Sequence, residues 1–458
     1  MNSSFKRNHS SFRDPDAFVF SDEDGIIYRQ LNQSYKEHYL FLKSCGLYDE
    51  LISKKMLIPH QEIEGCIFEE KNHYQTILPE QISFISYPYE WCFEQLKDAA
   101  LLTLRIMKQA LKHDMVLKDA TPFNIQFHQG KCIFIDTSSF EKYSEGNPWI
   151  AYRQFCENFL APLALSHYLG DNLNTLLATF PNGIPLETAS KLLPFKSRFS
   201  LNILLHIHFQ AGYKKQNTAN KKYTISKNRL FALIDSLEST VKNIYFKNTS
   251  IGWTNYYSET VLNTDYVASK RQIIETILDK LFIKSALDLG ANNGFFSEIV
   301  SSRKIETVSS DFDAACVNEL YLTCKKKNTE TILPLVLDIA NPTPAIGWAN
   351  TERSSFLNRS QFDLTLALAL IHHLAIGKNI PLSKIAETLS SISTFLIIEF
   401  VPKNDGKVQL LLQNRKDIFT DYSIENFENE FQNYFTLKSK EVVKNTERVI
   451  YLFKKKQS

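Results

Sequence analysis

Between Leu287 and Ser297 the chain reads LDLGANNGFFS, a tight glycine turn between an apolar strand pattern and a helical one. Glycine is needed there because the backbone must bend sharply and let a ligand approach with no Cβ in the way. Asp288, on the last residues of the strand, can meet a cationic group. About twenty residues on, Asp311 ends a second strand, where a carboxylate can accept both hydroxyls of a ribose. Asp338 ends a third strand and is placed to hydrogen-bond near a nucleobase. A glycine loop alone is a weak signal, since dinucleotide sites use similar ones. Here, however, large residues, Phe296 or Ser297, fill the register of the third dinucleotide glycine. Three acids ending three successive strands are the stronger signal, and together they point to a charged nucleoside.

Residues 284–400 resemble the class I methyltransferase superfamily, and DLGANNGFFS is similar to the DxGANxGxFS-type loop of FkbM-like O-methyltransferases. Over the whole chain, FRDPDAFVF, ISYPYEWCFEQLKDAALLTL, LKDATPFNIQF, FIDTSSFE and LALALIHHLAIG resemble a group of bacterial methyltransferases that includes nodulation proteins. The resemblance implies a Rossmann-like seven-stranded α/β sheet with its last pair of strands reversed. It also implies S-adenosyl-L-methionine as cofactor, held by Asp288, Gly290, Asn292, Gly294, Phe295, Asp311 and Asp338. Such motifs are specific for fold and cofactor and poor for substrate.

Methyl transfer from a sulfonium is a displacement in which a protein supplies alignment and removes a proton from the acceptor. His372 and His373 follow the apolar run LALALI at a strand's carboxyl end, and imidazole titrates near neutrality. Catalysis and a helix-capping or cofactor-contacting role are both open for the pair. Glu399 ends the next strand and is a second candidate base, or a buried or cofactor-polarising acid. Ala369-Leu370-Ile371-His372 lacks the Asn/Asp-Pro-Pro-aromatic signature that orients planar amino nitrogens, which disfavours nucleobase and glutamine acceptors. The loop from Asn341 to Gln361, with Trp348, Arg353 and Arg359, is long enough for a lid or acceptor site. By family analogy, Thr254–Thr260 folds over the cofactor; its tyrosines read equally well as core.

A second constellation lies upstream. In LKDATPFNIQFHQGKCIFIDTSSF, Asp119, Asn124 and Asp136 are spaced as in the catalytic loop and metal-binding strand of kinase-like phosphotransferases. Asn124 and Asp136 are thus the metal candidates if that region is an active kinase; otherwise no metal is expected. No glycine-rich phosphate loop and no Val-Ala-Ile-Lys lysine precede Ser83, and Thr137-Ser138 replaces Phe-Gly. A degenerate scaffold that binds the acceptor or a partner is the favoured reading.

The elements that must position these residues divide the chain. Strand and helix patterns alternate from Ser285, as in a parallel sheet covered on both faces, and FTLKSKEVVKN with ERVIYLFKK reads as a closing hairpin. The first half mixes strand pieces with helical stretches such as Phe93–Lys112 and Tyr152–Leu169, an α+β pattern. Length favours two domains. We expect an α+β, kinase-like domain over 1–223, a helical linker and cofactor-covering segment over 224–264, and a class I methyltransferase domain over 265–458. His206 and His208 alternate as on a strand and read as packed residues.

With 52 basic and 50 acidic residues the net charge is +2, so any polyanion binding must be local. The run from Lys214 to Arg229 reads as a solvated connection. Seven cysteines without a C-x-x-C spacing suggest reduced thiols, and Met1–Asp14 lacks the apolar stretch of a secretory signal. These observations predict a cytoplasmic methyltransferase acting on oxygen of a small molecule or glycan. They indicate no membrane partner and do not favour nucleic acid. An active phosphotransferase, an RNA or protein methyltransferase, and a non-catalytic cofactor-binding module are the alternatives. Oligomeric state and acceptor identity have no signature.

Overall fold

The computed structural model describes residues 5–212, 224–247, 264–413 and 416–456. It forms two compact units, one of Met1–Thr249 with Ala345–Ser354, the other of Ser250–Pro344 with Ser355–Ser458. Thr254–Thr260 and the lysines from Lys214 to Lys222 lie outside the described residues. Among the described residues no helix is long and apolar enough to cross a membrane.

The first unit opens with a five-stranded antiparallel sheet in the order β1-β2-β3-β5-β4, from β1 (Lys6–Arg7), β2 (Ala17–Ser21), β3 (Ile27–Asn32), β4 (His60–Ile63) and β5 (His73–Pro79). Two small sheets follow, pairing β6 (Met115–Leu117) with β9 (Phe140–Lys142), and β7 (Ile125–His128) with β8 (Lys131–Phe134). The β7–β8 loop is Gln129-Gly130, both at positive φ, the two-residue turn whose twist suits a hairpin. The helix Phe93–Lys112 buries Phe93, Leu96, Ala100, Leu104, Met107 and Leu111, and each large side chain removed from water contributes about 2 kcal/mol. Its first turn is capped by Gln95, which accepts the Cys92 N–H at 2.9 Å.

The sequence placed the apolar helix after Arg229 in a linker leading to the second domain. That helix, Lys227–Asn243, instead packs in the first unit against Phe93–Lys112: Lys108 pairs with Glu238 and, at 2.5 Å, with Asp235. The expected helix from Tyr152 to Leu169 is present, with a π turn over Cys156–Leu160 just before Pro162, which has no N–H to offer the regular register. His206 and His208 lie in a π-helical turn, Leu204–Phe209, rather than on a strand. Each ring is held at both nitrogens by hydroxyls, His206 by Tyr152 and Ser236, His208 by Ser190 and Ser197.

The second unit is mixed α/β around a parallel-rich sheet. In chain order its strands are β10 (Ser285–Leu289), β11 (Glu306–Asp311), β12 (Ile332–Val336), β13 (Phe362–Ala367), β14 (Ser393–Phe400), β15 (Phe435–Val442) and β16 (Val449–Lys455). Their order in the sheet is β12-β11-β10-β13-β14-β16-β15; β10 to β14 run parallel and β16 antiparallel to both neighbours. β10 and β13 are buried along nearly their whole length, as central strands of a sheet covered on both faces are. Pro334 is tolerated because β12 is an edge strand. The closing hairpin forms, but β16 threads between β14 and β15, so Val449–Phe453 are buried on both faces while β15 alternates.

The long loop after β12 was read as a lid or acceptor site. Its middle, Ala345–Ser354, belongs to the first unit, where Glu352 accepts two hydrogen bonds from Arg13, at 2.9 and 3.0 Å. Arg353 lies over the Phe123 ring, and Ser354 N–H donates to the Tyr87 hydroxyl. Trp348 remains exposed, and Arg359 ends a short helix beside Phe356.

Candidate cofactor and acceptor site

The glycine loop is fixed by backbone bonds to β11: Gly290 N–H and Ala291 N–H both donate to the Ser310 carbonyl, at 2.8 and 3.0 Å. Gly290 has φ +73°, Asn292 φ +50° and Gly294 φ +79°, all left-handed. The two glycines serve different needs. A Cβ on Gly290 would meet only Leu370, at 3.6 Å, so its backbone conformation is the constraint; a Cβ on Gly294 would fall 2.5 Å from Leu320 Cδ1, where its helix packs on Ala314–Lys327. Phe295, half-buried, packs on the core with Phe296.

Asp288, Asp311 and Asp338 lie at the carboxyl ends of the adjacent strands β10, β11 and β12. Asp288 is buried and accepts the Ser297 hydroxyl at 2.6 Å. Burial pushes its pKa up to about 6; Ser297 and Lys270 pull it down, and Asp311 pushes it further up. Asp311 accepts the N–H groups of Asn292 and Asp313, each at 2.9 Å, and is 7% exposed. Burial raises its pKa against those two bonds. Asp338 accepts the Ala340 N–H and is half-exposed, with Lys378 3.4 Å away. Phe312 adds a further backbone hydrogen bond to Asp311, whose two oxygens keep lone-pair capacity beyond these bonds.

Beyond β13 the chain turns through Ala369, φ +50°, and brings His372 into the interior. Its ring is fully buried and neither nitrogen has a hydrogen-bond partner. The His373 ring lies against it, tilted by 41°, with ring centroids 4.2 Å apart. Burial lowers the pKa of both imidazoles, His372 well below its ordinary value, with His373, Arg448 and Lys270 adding to that effect and Asp405 opposing it. Both rings are therefore neutral at pH 7.

Glu399, at the end of β14, is fully buried and engaged. Lys270 Nζ donates to Oε2 at 2.6 Å, the Tyr266 hydroxyl donates to Oε1 at 2.9 Å, and Arg448 reaches Oε1 at 3.5 Å. Burial raises its pKa, but Lys270 and Arg448 overcome this and hold it below the ordinary value. A carboxylate so clamped has little basicity to offer, so its geometry fits the buried acid rather than the base. Arg448 turns its other nitrogens to Asp405, at 2.7 and 2.9 Å.

Sequence reasoning missed Tyr266, Lys270, Asp405 and Arg448. One signal was available: Tyr266, Lys270 and Ile274 fall four residues apart on the buried stripe of the helix Thr264–Leu278, and a lysine in an apolar stripe needs a partner. The glycine loop, the three strand-end acids and the unpartnered imidazole suit a cationic nucleoside bearing an amino-acid end, so the residues present fit S-adenosylmethionine.

No family model matches the chain. Nodulation protein NoeA of Rhizobium meliloti (strain 1021) is 30% identical over 465 residues, spanning 98% of this chain and 96% of the relative. The chain belongs to the family of nodulation protein NoeA. Among solved structures, the bifunctional kinase-methyltransferase WbdD matches 42% of this chain and 38% of its own, at 17% identity and a TM-score of 0.29. The N-methyltransferase NodS of Bradyrhizobium japonicum WM9, in complex with S-adenosyl-l-homocysteine, matches 45% of this chain and all of its own, at 12% identity and a TM-score of 0.32. Likenesses at such scores decide neither fold nor chemistry.

In the first unit of this NoeA-family chain, Asp119, Asn124 and Asp136 come together. Asn124 Nδ2 donates to Asp119 Oδ2 and to Ser139 Oγ, both at 3.1 Å, and Ser139 Oγ donates to Asp136 Oδ2 at 2.7 Å. The Asp136 carboxylate is closed by Arg29 of β3, by the Ser138 hydroxyl at 2.6 Å and by the Ser138 N–H at 3.0 Å. Burial raises its pKa, yet Arg29 and the two serines hold it low. A guanidinium therefore fills the place a magnesium ion would need, and these residues do not fit the metal. Among the described residues, no group of three His, Cys, Asp or Glu side chains is arranged to hold one.

Proposed function

We propose that the second unit is an S-adenosylmethionine-dependent methyltransferase that methylates an oxygen of a small molecule or glycan, with the first unit aiding acceptor or partner recognition. The observation that carries this reading is the set of three acids at the ends of β10, β11 and β12, beside a left-handed glycine loop. The seven strands support it, being the number that the sequence resemblance implies, although of the last pair only β16 runs against the rest.

When bound, the cofactor supplies an electrophilic methyl group on a cationic sulfur. Asp288 would offer its carboxylate to the cofactor's ammonium, Asp311 would accept from ribose hydroxyls, and Asp338 would hydrogen-bond near the base. His372 is our candidate proton acceptor, a neutral imidazole with both nitrogens unpartnered, which burial makes less basic than a free histidine. His373 is the second candidate. Glu399 holds Lys270 and Arg448 in place and stays ionised. Arg29 at Asp136 supports a binding role over phosphotransfer for the first unit.

Calorimetry with S-adenosylmethionine tests the reading on the wild type, Gly290→Arg and Asp311→Ala. Heat of binding is expected for the wild type and for neither variant; undiminished binding in both would overturn the site. Incubation with methyl-labelled cofactor and fractionated cell extract then identifies the acceptor class by which fraction acquires label.

A further inference from the structure

The segment from Thr188 to Gly212 carries Lys191, Lys196 and Arg198 and no acidic residue, although the whole chain is nearly neutral. The same segment exposes apolar side chains to an unusual degree. Phe195 is 72% exposed and Phe199 79%, their rings edge to face at 5.6 Å, and Leu201 is 66% exposed. Leu201, Leu205 and Phe209 recur every fourth residue on the outer side of the helical run Leu201–Gly212, whose inner side buries Ile203, His206, Ile207 and His208. The run packs on the turn Phe195–Phe199, so the two apolar sets adjoin.

This exposure is built in. His208 is buried behind the turn, its Nδ1 bonded to Ser190 and its Nε2 to Ser197, each at 2.8 Å. Ser197 also donates to the Pro194 carbonyl at 2.7 Å. One imidazole thus ties the helix Leu186–Leu192 and the phenylalanine turn to the same helical run. With Ser197 held inward, Phe195 and Phe199 project outward. Glu187, the acid just before the segment, is bonded by Arg153 at 2.9 and 3.1 Å.

We propose that this face docks on the surface of an anionic phospholipid bilayer, with Phe195 and Phe199 entering the headgroup boundary and Lys196 and Arg198 meeting lipid phosphates. Aromatic and leucine side chains among basic ones, in a segment without acids beside an acid, Glu187, already paired with Arg153, match that interface on both counts. A second copy would set these cations against their own kind. A nucleic acid would find phosphate partners but no use for the leucine stripe. Net charge had suggested no membrane partner; the attraction resides in a local concentration of charge that the sum conceals. The inference goes beyond the methyltransferase reading and does not depend on it.

The full chain is to be sedimented with vesicles of phosphatidylcholine and with vesicles of equal parts phosphatidylcholine and phosphatidylglycerol. Partition into the mixed vesicles should exceed that into the neutral ones by on the order of tenfold and weaken in high salt. Phe195→Ser with Phe199→Ser, and separately Lys196→Glu with Arg198→Glu, should each lower it by on the order of tenfold while leaving the melting temperature unchanged. Equal partition into both vesicle types, no partition, or wild-type partition of both variants would overturn the proposal. So would a dimer, seen by sedimentation velocity, that the serine variant dissolves in a protein that ignores vesicles.

Discussion

Lys270 Nζ lies 2.6 Å from Glu399 Oε2, and neither side chain reaches solvent. The pair stands beside a second cation, Arg448, whose own partner is Asp405, so two positive and two negative side chains balance in the interior of the second unit. Removing one member of such a set leaves an uncompensated buried charge, which costs about 3–5 kcal/mol. Lys270→Met or Glu399→Gln alone should lower unfolding free energy by about that amount. The double variant should recover most of the loss. Urea denaturation checks this; additive losses would show that the two groups are not coupled.

The unpartnered imidazole of His372 sets stability against activity. Two polar nitrogens buried without partners are costly, so His372→Leu should raise the melting temperature. The same variant should slow methyl transfer by roughly a hundredfold, the usual worth of a positioned base, with cofactor affinity unchanged. A variant less stable than wild type and equally active would assign His372 to packing.

Asp288 makes the second unit sensitive to pH. Its pKa is raised in the folded chain to about 6 from the ordinary 3.8, so its contribution to stability is fully present below about pH 4 and is lost as pH rises through 6. Asp288→Asn should be the more stable protein at pH 7, by up to about 3 kcal/mol, with a flatter stability profile between pH 4 and 6. Binding of a cationic cofactor favours the ionised carboxylate and should weaken as pH falls below 6. Calorimetry in buffers of differing ionisation enthalpy would register the released proton; its absence near pH 6 would separate Asp288 from the bound cation.

The two loop glycines should differ in cost. Gly290→Ala meets only the left-handed backbone, about 1 kcal/mol; Gly294→Ala meets that and Leu320 as well, adding about 1 kcal/mol more. Leu320→Ala in the Gly294→Ala background should return the extra loss. Equal melting temperatures for the two single variants would contradict the packing argument.

In the first unit, Arg29→Met should leave the largely buried Asp136 with only its serine hydrogen bonds and lower stability by about 3 kcal/mol. Magnesium with ATP should leave the wild-type melting temperature unmoved. A shift that Asp136→Asn abolishes would show that the guanidinium yields its place to the metal.

The second unit was the more legible in the sequence because its signals are local. A glycine turn after an apolar run, with acids at successive strand ends, needs no knowledge of distant packing. Lys270 and Arg448 escaped because each makes sense only through Glu399, more than forty residues from either, and the long β12–β13 loop escaped because Glu352 answers to Arg13. The first unit was hard to read because β2 and β3 do not alternate cleanly between buried and exposed positions, and because the turn at Pro162 interrupts a helical period. The face around Phe195 is not legible in the sequence, because an apolar residue that finds no core has the same pattern as one that does.

The threading of β16 between β14 and β15 bears on biosynthesis. A ribosome delivers β10 to β14 well before Arg448 and β16, so for part of translation Glu399 and Lys270 have neither their arginine nor the strand that covers them. The nascent chain would hold an open sheet flank next to ionic groups meant for the interior, a state in which chaperone capture or degradation competes with completion of the hairpin.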